Sequence, residues 1–263
     1  LLSLGMTSRE ITAAVANGSL IRARRDRYFF ADAPGELVRA ARLGGRLTCV
    51  SLLSLLGVFV YSHADLHVMM TRGASRMREP DDSRRRLGAR SRRDGVVLHW
   101  LTPVALCEHL AIASFHDAVV HAMQCQTPRH TVATLDSALH LRLITMHELR
   151  DLFAQLPMRF TVLLSLVDAR AESGPETLMR LLLRGMGCTV VPQVRIDGVG
   201  RVDLLVDGRP LIECDSAAFH ASWAQAKKDR ARDLAAATRG YTTLRPTAEL
   251  ILYHPSVVKA AVQ

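Results

Sequence analysis

Arg201-Val202-Asp203-Leu204-Leu205-Val206-Asp207-Gly208-Arg209-Pro210-Leu211-Ile212-Glu213-Cys214-Asp215 holds three carboxylates on what reads as two short strands about a turn. Val202, Leu204 and Val206 alternate with Arg201, Asp203 and Leu205, while Leu211, Glu213 and Asp215 alternate with Ile212 and Cys214. Successive strand residues face opposite sides, so each strand has one apolar face. If those faces join in one sheet, Asp203, Glu213 and Asp215 share the other side, a crowding of charge that calls for a cation.

The turn must respect that parity, because residues paired directly across a hairpin point to the same face. A two-residue Asp207-Gly208 loop would pair Val206 with Arg209 and hence Asp203 with Ile212, mixing acid with apolar. The pattern therefore predicts a three- or five-residue turn with Gly208 at the position of positive φ. An oxygen-only donor set suits Mg²⁺ or Mn²⁺ rather than zinc.

Six blocks in order then carry a family resemblance: Ser173-Gly-Pro-Glu176, Arg201-Val-Asp203, Ile212-Glu213-Cys-Asp215, Phe219-His220, Asp229-Arg-Ala-Arg232-Asp233 and Gly240-Tyr-Thr-Thr-Leu244-Arg245. Over roughly the last third of the chain this resembles the PD-(D/E)XK nuclease superfamily, most closely the branch related to very-short-patch-repair (Vsr) endonucleases. The resemblance implies an α/β fold with a mixed sheet flanked by helices. It implies that Asp203 and Glu213 are metal ligands, that Glu176 completes the acidic site and that His220 occupies this branch's active-site histidine position. The superfamily's usual lysine, two residues after the glutamate, is Asp215 here, and the glycine that commonly follows it is Ser216. A carboxylate cannot stabilise charge at a scissile phosphate as a lysine does. Two readings stay open: His220, Lys227, Lys228 or Arg232 supplies the positive charge, or the site is inactive.

Ser173 and Glu176 also have capping-box spacing with proline early in the helix, so Glu176 can serve as cap, as ligand, or as both. Lys227, Lys228, Arg230 and Arg232 alternate with Asp229 and Asp233 on the predicted helix 223–238, a surface pattern that beside three acids becomes a set of phosphate contacts.

A net charge of +9 is unevenly held, since residues 1–100 carry 17 Lys+Arg against 9 Asp+Glu. That basic half points to nucleic acid or another polyanion as partner, although 31 arginines against 3 lysines equally fit an arginine-rich proteome. Thr7 to Ala16 reads as a capped helix ended by Asn17-Gly18, followed by a basic hairpin over Leu20 to Phe30. This stretch resembles the N-terminal winged helix of AbiEi-type antitoxins, which implies DNA contacts from Arg24, Arg25 and Arg27 on the wing.

Between these ends, residues 34–170 read as a mostly helical middle region. Its exceptions are strands at Leu66–Met70 and Val96–Trp100 and a basic loop, 72–93, with nine arginines. A loop of that length and charge is expected to be mobile and able to grip a phosphate backbone. The resulting division is 1–33, winged-helix-like; 34–170, mostly helical; and 171–263, nuclease-like.

The five cysteines are scattered with no CxxC and read as reduced core residues. His116, His121, Cys125 and His130 lie in one helical stretch without paired spacing, so no zinc site is expected from them. No run of about 18 apolar residues or signal peptide is visible, so no membrane is expected and the cytoplasm is the predicted compartment. The leading expectation is a Mg²⁺- or Mn²⁺-dependent DNA endonuclease or nickase. Its rival is an antitoxin-like DNA-binding transcriptional regulator that keeps a decayed nuclease fold.

Overall fold

Capping chemistry starts the chain's first helix: Thr7 accepts from the Glu10 N–H, and the Glu10 carboxylate returns to the Thr7 N–H at 2.7 Å, opening α1 (Ser8–Ala16). The computed structural model describes residues 5–88, 94–100, 102–103, 109–215 and 223–262, and among them the chain is mixed α/β with eleven α-helices. It divides into two compact units, 1–57 with 61–125, and 58–60 with 126–263. Residues 34–57 and 61–125 thus belong with the N-terminal hairpin, and 58–60 and 126–170 with the acidic region, a division drawn at other points than the three sequence segments.

In the first unit, α1 leads into an antiparallel pair, β1 (Leu20–Arg24) and β2 (Arg27–Phe30), with a register shift between Arg22 and Arg24. Ala23 packs with Val38 and Ala41 of α2 (Gly35–Leu43). The mostly helical reading of 34–170 needs one correction here. After Gly44, at φ 93°, the chain forms β3 (Arg46–Leu47) before α3 (Cys49–Leu55), because Leu47 pairs with Val68. β3 runs antiparallel to β4 (Leu66–Met69), which pairs in parallel with β5 (Val96–His99); α4 (Phe115–Cys125) follows. The basic loop is also more ordered than its composition suggests. Its described part, to residue 88, folds back on itself through Leu87 N–H to Met77 O and Glu79 N–H to Arg85 O. It is tied to α2 by an Arg39–Asp81 ion pair at 2.9 Å and by Arg42 donating to Pro80 O.

The second unit begins with helices α5 (Pro128–His140), α6 (Met146–Ala154) and α7 (Thr161–Leu166). Thr145 and Glu148 form the capping box predicted for α6. Then come α8 (Gly174–Gly185), β6 (Val190–Ile196), β7 (Gly200–Val206), β8 (Pro210–Ile212), α9 (Trp223–Ala237), β9 (Thr242–Leu244), α10 (Ala248–Tyr253) and α11 (Pro255–Val262). The sheet order is β6-β7-β8-β9, antiparallel except for the β8–β9 pair, which the α9 crossover makes parallel. Apolar clusters form on both sides. Leu204, Val206 and Ile212 pack with Leu178, Met179 and Leu183 of α8 and with Ile251 and Val258, whereas Leu211 packs with Ala236 of α9.

One buried ion pair fixes α8 to its neighbours. Arg180 donates to Asp136 of α5 at 2.7 Å and to Leu166 O at 2.9 Å; Asp136 also accepts from Thr177 and from the Asp168 N–H. Both side chains are essentially inaccessible, and burial pushes the Asp136 carboxyl up to about 6. Removing one partner strands a buried charge, so Arg180→Met should cost about 3–5 kcal/mol in urea unfolding. A loss below about 1 kcal/mol would show that the pair does not hold α8.

Candidate functional site

The β7–β8 register settles which acids meet. Leu204 lies opposite Ile212 and Leu205 opposite Leu211. Continued one step each way, that register sets Val206 against Pro210 and Asp203 against Glu213. Asp207, Gly208 and Arg209 are left as a three-residue connection, with Gly208 at φ 78° and Asp207 also left-handed at 47°. The Asp207 carboxylate is occupied by accepting from the Thr189 N–H. Asp203 and Glu213 therefore share a face, as the parity requires.

Glu176 reaches the same place from α8. Ser173 caps that helix by accepting from the Glu176 N–H, but the Glu176 carboxylate does not complete the reciprocal box found at α1 and α6. It turns instead to the Glu172 N–H at 3.0 Å and to Gln193 Nε2 at 2.8 Å. The Gln193 amide also lies 3.5 Å from Asp203 Oδ1, linking the two acids. Gln193 sits inside β6 at φ 54°, a left-handed conformation costing about 1–2 kcal/mol in a non-glycine residue. Its Oε1 is buried without a hydrogen-bond partner. A strained strand residue with an orphaned oxygen between two acids marks the spot as built for something other than packing.

Electrostatics agrees. Burial raises the Glu176 carboxyl, and the Asp203 charge raises it further. Burial also raises Asp203, against the Cys214 N–H that it accepts at 2.8 Å. Glu213 goes to about 6, chiefly by burial, even though Arg232 of α9 donates to its Oε1 at 2.7 Å. Arg232 is held there by the Val199 and Arg201 carbonyls.

The remaining expected residues are placed differently. Asp215 is bridged to Thr247 at the end of the strand; its side chain is half exposed, 3.9 Å from Arg245, which pairs with Asp233. Lys228 is exposed, and the Lys227 ammonium lies 5.6 Å from the Trp223 ring centroid, so among the described residues Arg232 is the α9 cation that bonds a site acid. His220 lies outside the described residues. In the first unit, Arg24 donates to Leu43 O and Ser75 O, and Arg27 donates to Leu110 O at 2.8 Å. Arg25 projects from the turn, paired only loosely with Asp26 at 3.6 Å.

The described cysteines are free, but Cys125 is exposed rather than in the core, and two of the four meet histidines. Cys49, His67, His99 and Cys125 bring one ligand atom each to within 4.8 Å of one another, the one His/Cys/Asp/Glu group among the described residues gathered so closely. Cys125 does take part, as one member of the helical His/Cys set, but its partners come from elsewhere; His116 and His130 are not members. Sequence separations of 32 between the two histidines and 26 from His99 to Cys125 leave no spacing signature. The acidic trio does not reach such mutual closeness.

No family model, curated protein or solved structure matches this chain.

The raised carboxyl values carry a stability consequence. Glu213 binds its proton more tightly folded than unfolded. Its ionisation therefore removes stability as pH rises from about 4.5 to about 6, with the loss complete above that window. Glu213→Gln cannot ionise. In metal-free buffer, the variant should gain on the parent by up to about 2 kcal/mol between pH 4.5 and pH 7 in urea unfolding. Parallel pH profiles would mean Glu213 titrates normally.

Proposed function

We propose that the second unit is a Mg²⁺- or Mn²⁺-dependent DNA endonuclease or nickase of the PD-(D/E)XK kind. The observation that carries this reading is Asp203 set opposite Glu213, with Glu176 joined to Asp203 through Gln193. The donor set fits a hard divalent ion: three carboxylates, plus the orphaned Gln193 Oε1 beside them. Asp203 and Glu213 would hold the ion, with Glu176 completing the site. Such an ion polarises a phosphodiester and acidifies bound water. Glu176, whose carboxyl is raised above its ordinary value by burial and by Asp203, is suited to exchanging a proton with a water near the site. Arg232 takes the electrostatic part left open by Asp215. Its guanidinium bonds Glu213 through one nitrogen and keeps donors for a phosphate oxygen.

In the same proposal the α1–β1–β2 segment is a winged helix that binds DNA. Arg25 is its phosphate contact, whereas Arg24 and Arg27 brace the hairpin against carbonyl groups. A regulator that binds DNA without cutting it has one observation in its favour, the Arg232–Glu213 ion pair, in which a side chain of the protein already neutralises the acid.

Two measurements separate these. Supercoiled plasmid incubated with Mn²⁺ should be nicked slowly by the parent and not by Asp203→Ala or Glu213→Ala. Asp215→Lys should be faster by roughly 10-fold or more, since it restores a cation where charge develops. A parent that binds plasmid equally in EDTA and never nicks it is a regulator. Arg25→Ala should weaken binding to all DNA sequences alike and lower the slope of log affinity against log salt by about 1. An unchanged slope would remove the wing from the interface.

A further inference from the structure

Four elements of the first unit deliver the second cluster. Cys49 is the first residue of α3, held at φ 55°; His67 lies on β4, His99 on β5, and Cys125 ends α4. Three of the four are buried. We propose that Cys49, His67, His99 and Cys125 are the four ligands of a structural zinc ion that pins the first unit together, a site independent of the acidic one.

Geometry and donor chemistry lead there together. Bond lengths of about 2.0–2.1 Å to nitrogen and about 2.3 Å to sulfur place tetrahedral ligands roughly 3.3 Å apart for two nitrogens and about 3.6 Å apart for nitrogen and sulfur. His67 Nδ1 and His99 Nε2 are 3.2 Å apart, and His99 Nε2 and Cys125 Sγ 3.9 Å. Two thiolates with two imidazoles select a borderline-soft ion and reject Mg²⁺ or Ca²⁺. With four protein donors no coordination position stays open for substrate, so the ion's role is structural rather than catalytic.

The surroundings hold the ligands in place. His121, one helical turn before Cys125, stacks on His99 with ring centroids 4.4 Å apart, and its Nδ1 meets the Thr48 hydroxyl at 2.8 Å. Such outer partners fix the orientation of metal-bound imidazoles. The unit also has use for a staple, since β3, β4 and β5 contain only two, four and four residues. The ion would tie the β3–α3 junction, both parallel strands and the end of α4 at one point.

Cobalt spectroscopy on the full chain tests this. After chelation and gel filtration, titration of the parent with Co²⁺ should saturate its thiolate signal at one ion per chain. The parent should then show the thiolate charge-transfer band and the visible absorption of a tetrahedral ion, both erased by an equivalent of Zn²⁺. Zn²⁺ should also raise the melting temperature by several degrees. The paired replacement Cys49→Ser with Cys125→Ser should lose the charge-transfer band, while Cys188→Ser with Cys214→Ser, and Asp203→Ala, should keep it. Because the first pair of changes can itself unfold the unit, the parent spectrum and the Cys188/Cys214 variant carry the decision. A parent without a charge-transfer band, or a band lost with Cys188 and Cys214, overturns the site. Failure of plasmid nicking has no bearing on it, and the presence of zinc has none on nicking.

Discussion

A single residue in the turn between β7 and β8 governs the second unit. With three residues in that connection, Asp203 falls opposite Glu213 while Leu204 and Ile212 stay in the core; with two, every side chain on one strand would face the wrong way. The rest of the unit is arranged to tolerate what this register creates. α8 is locked by Arg180 to Asp136, which sets the helix start where Glu176 meets Gln193. α9 crosses the other side and returns Arg232 to Glu213. Burying three acids together is unfavourable, and each is held above its ordinary carboxyl range. One arginine and one strained glutamine offset part of that cost. A protein that bears such a local cost at a concentrated point usually does so for a ligand.

Much of this was legible in residue order because alternation and capping are local. The parity of Val202 to Val206 against Leu211 to Asp215 contains the turn length, and Thr7 with Glu10 and Thr145 with Glu148 contain two helix starts. Glu176 could be read from Ser173 as a cap, yet only the fold reveals that its carboxylate leaves the cap for Gln193. Gln193 itself carried no signal beyond its place on a strand, since a left-handed residue inside a strand is set by tertiary context.

What sequence reasoning missed was non-local. Cys49, His67, His99 and Cys125 are assembled by two strands and two helix ends, and none is near another along the chain. The winged-helix resemblance implied DNA contacts from Arg24 and Arg27, and it gave no hint that their guanidinium groups reach carbonyls of distant segments. The arginine-rich loop looked structureless on composition alone, but its described part is held to α2 through Arg39 and Arg42. In each case a long polar side chain found a partner that no periodicity announces.

Anomalous diffraction at the manganese edge, from crystals of the intact chain equilibrated with Mn²⁺, tests whether the acids hold an ion. A peak is expected within direct coordination distance of Asp203 and Glu213 carboxylate oxygens. Saturating Mn²⁺ with no peak there would contradict the metal site.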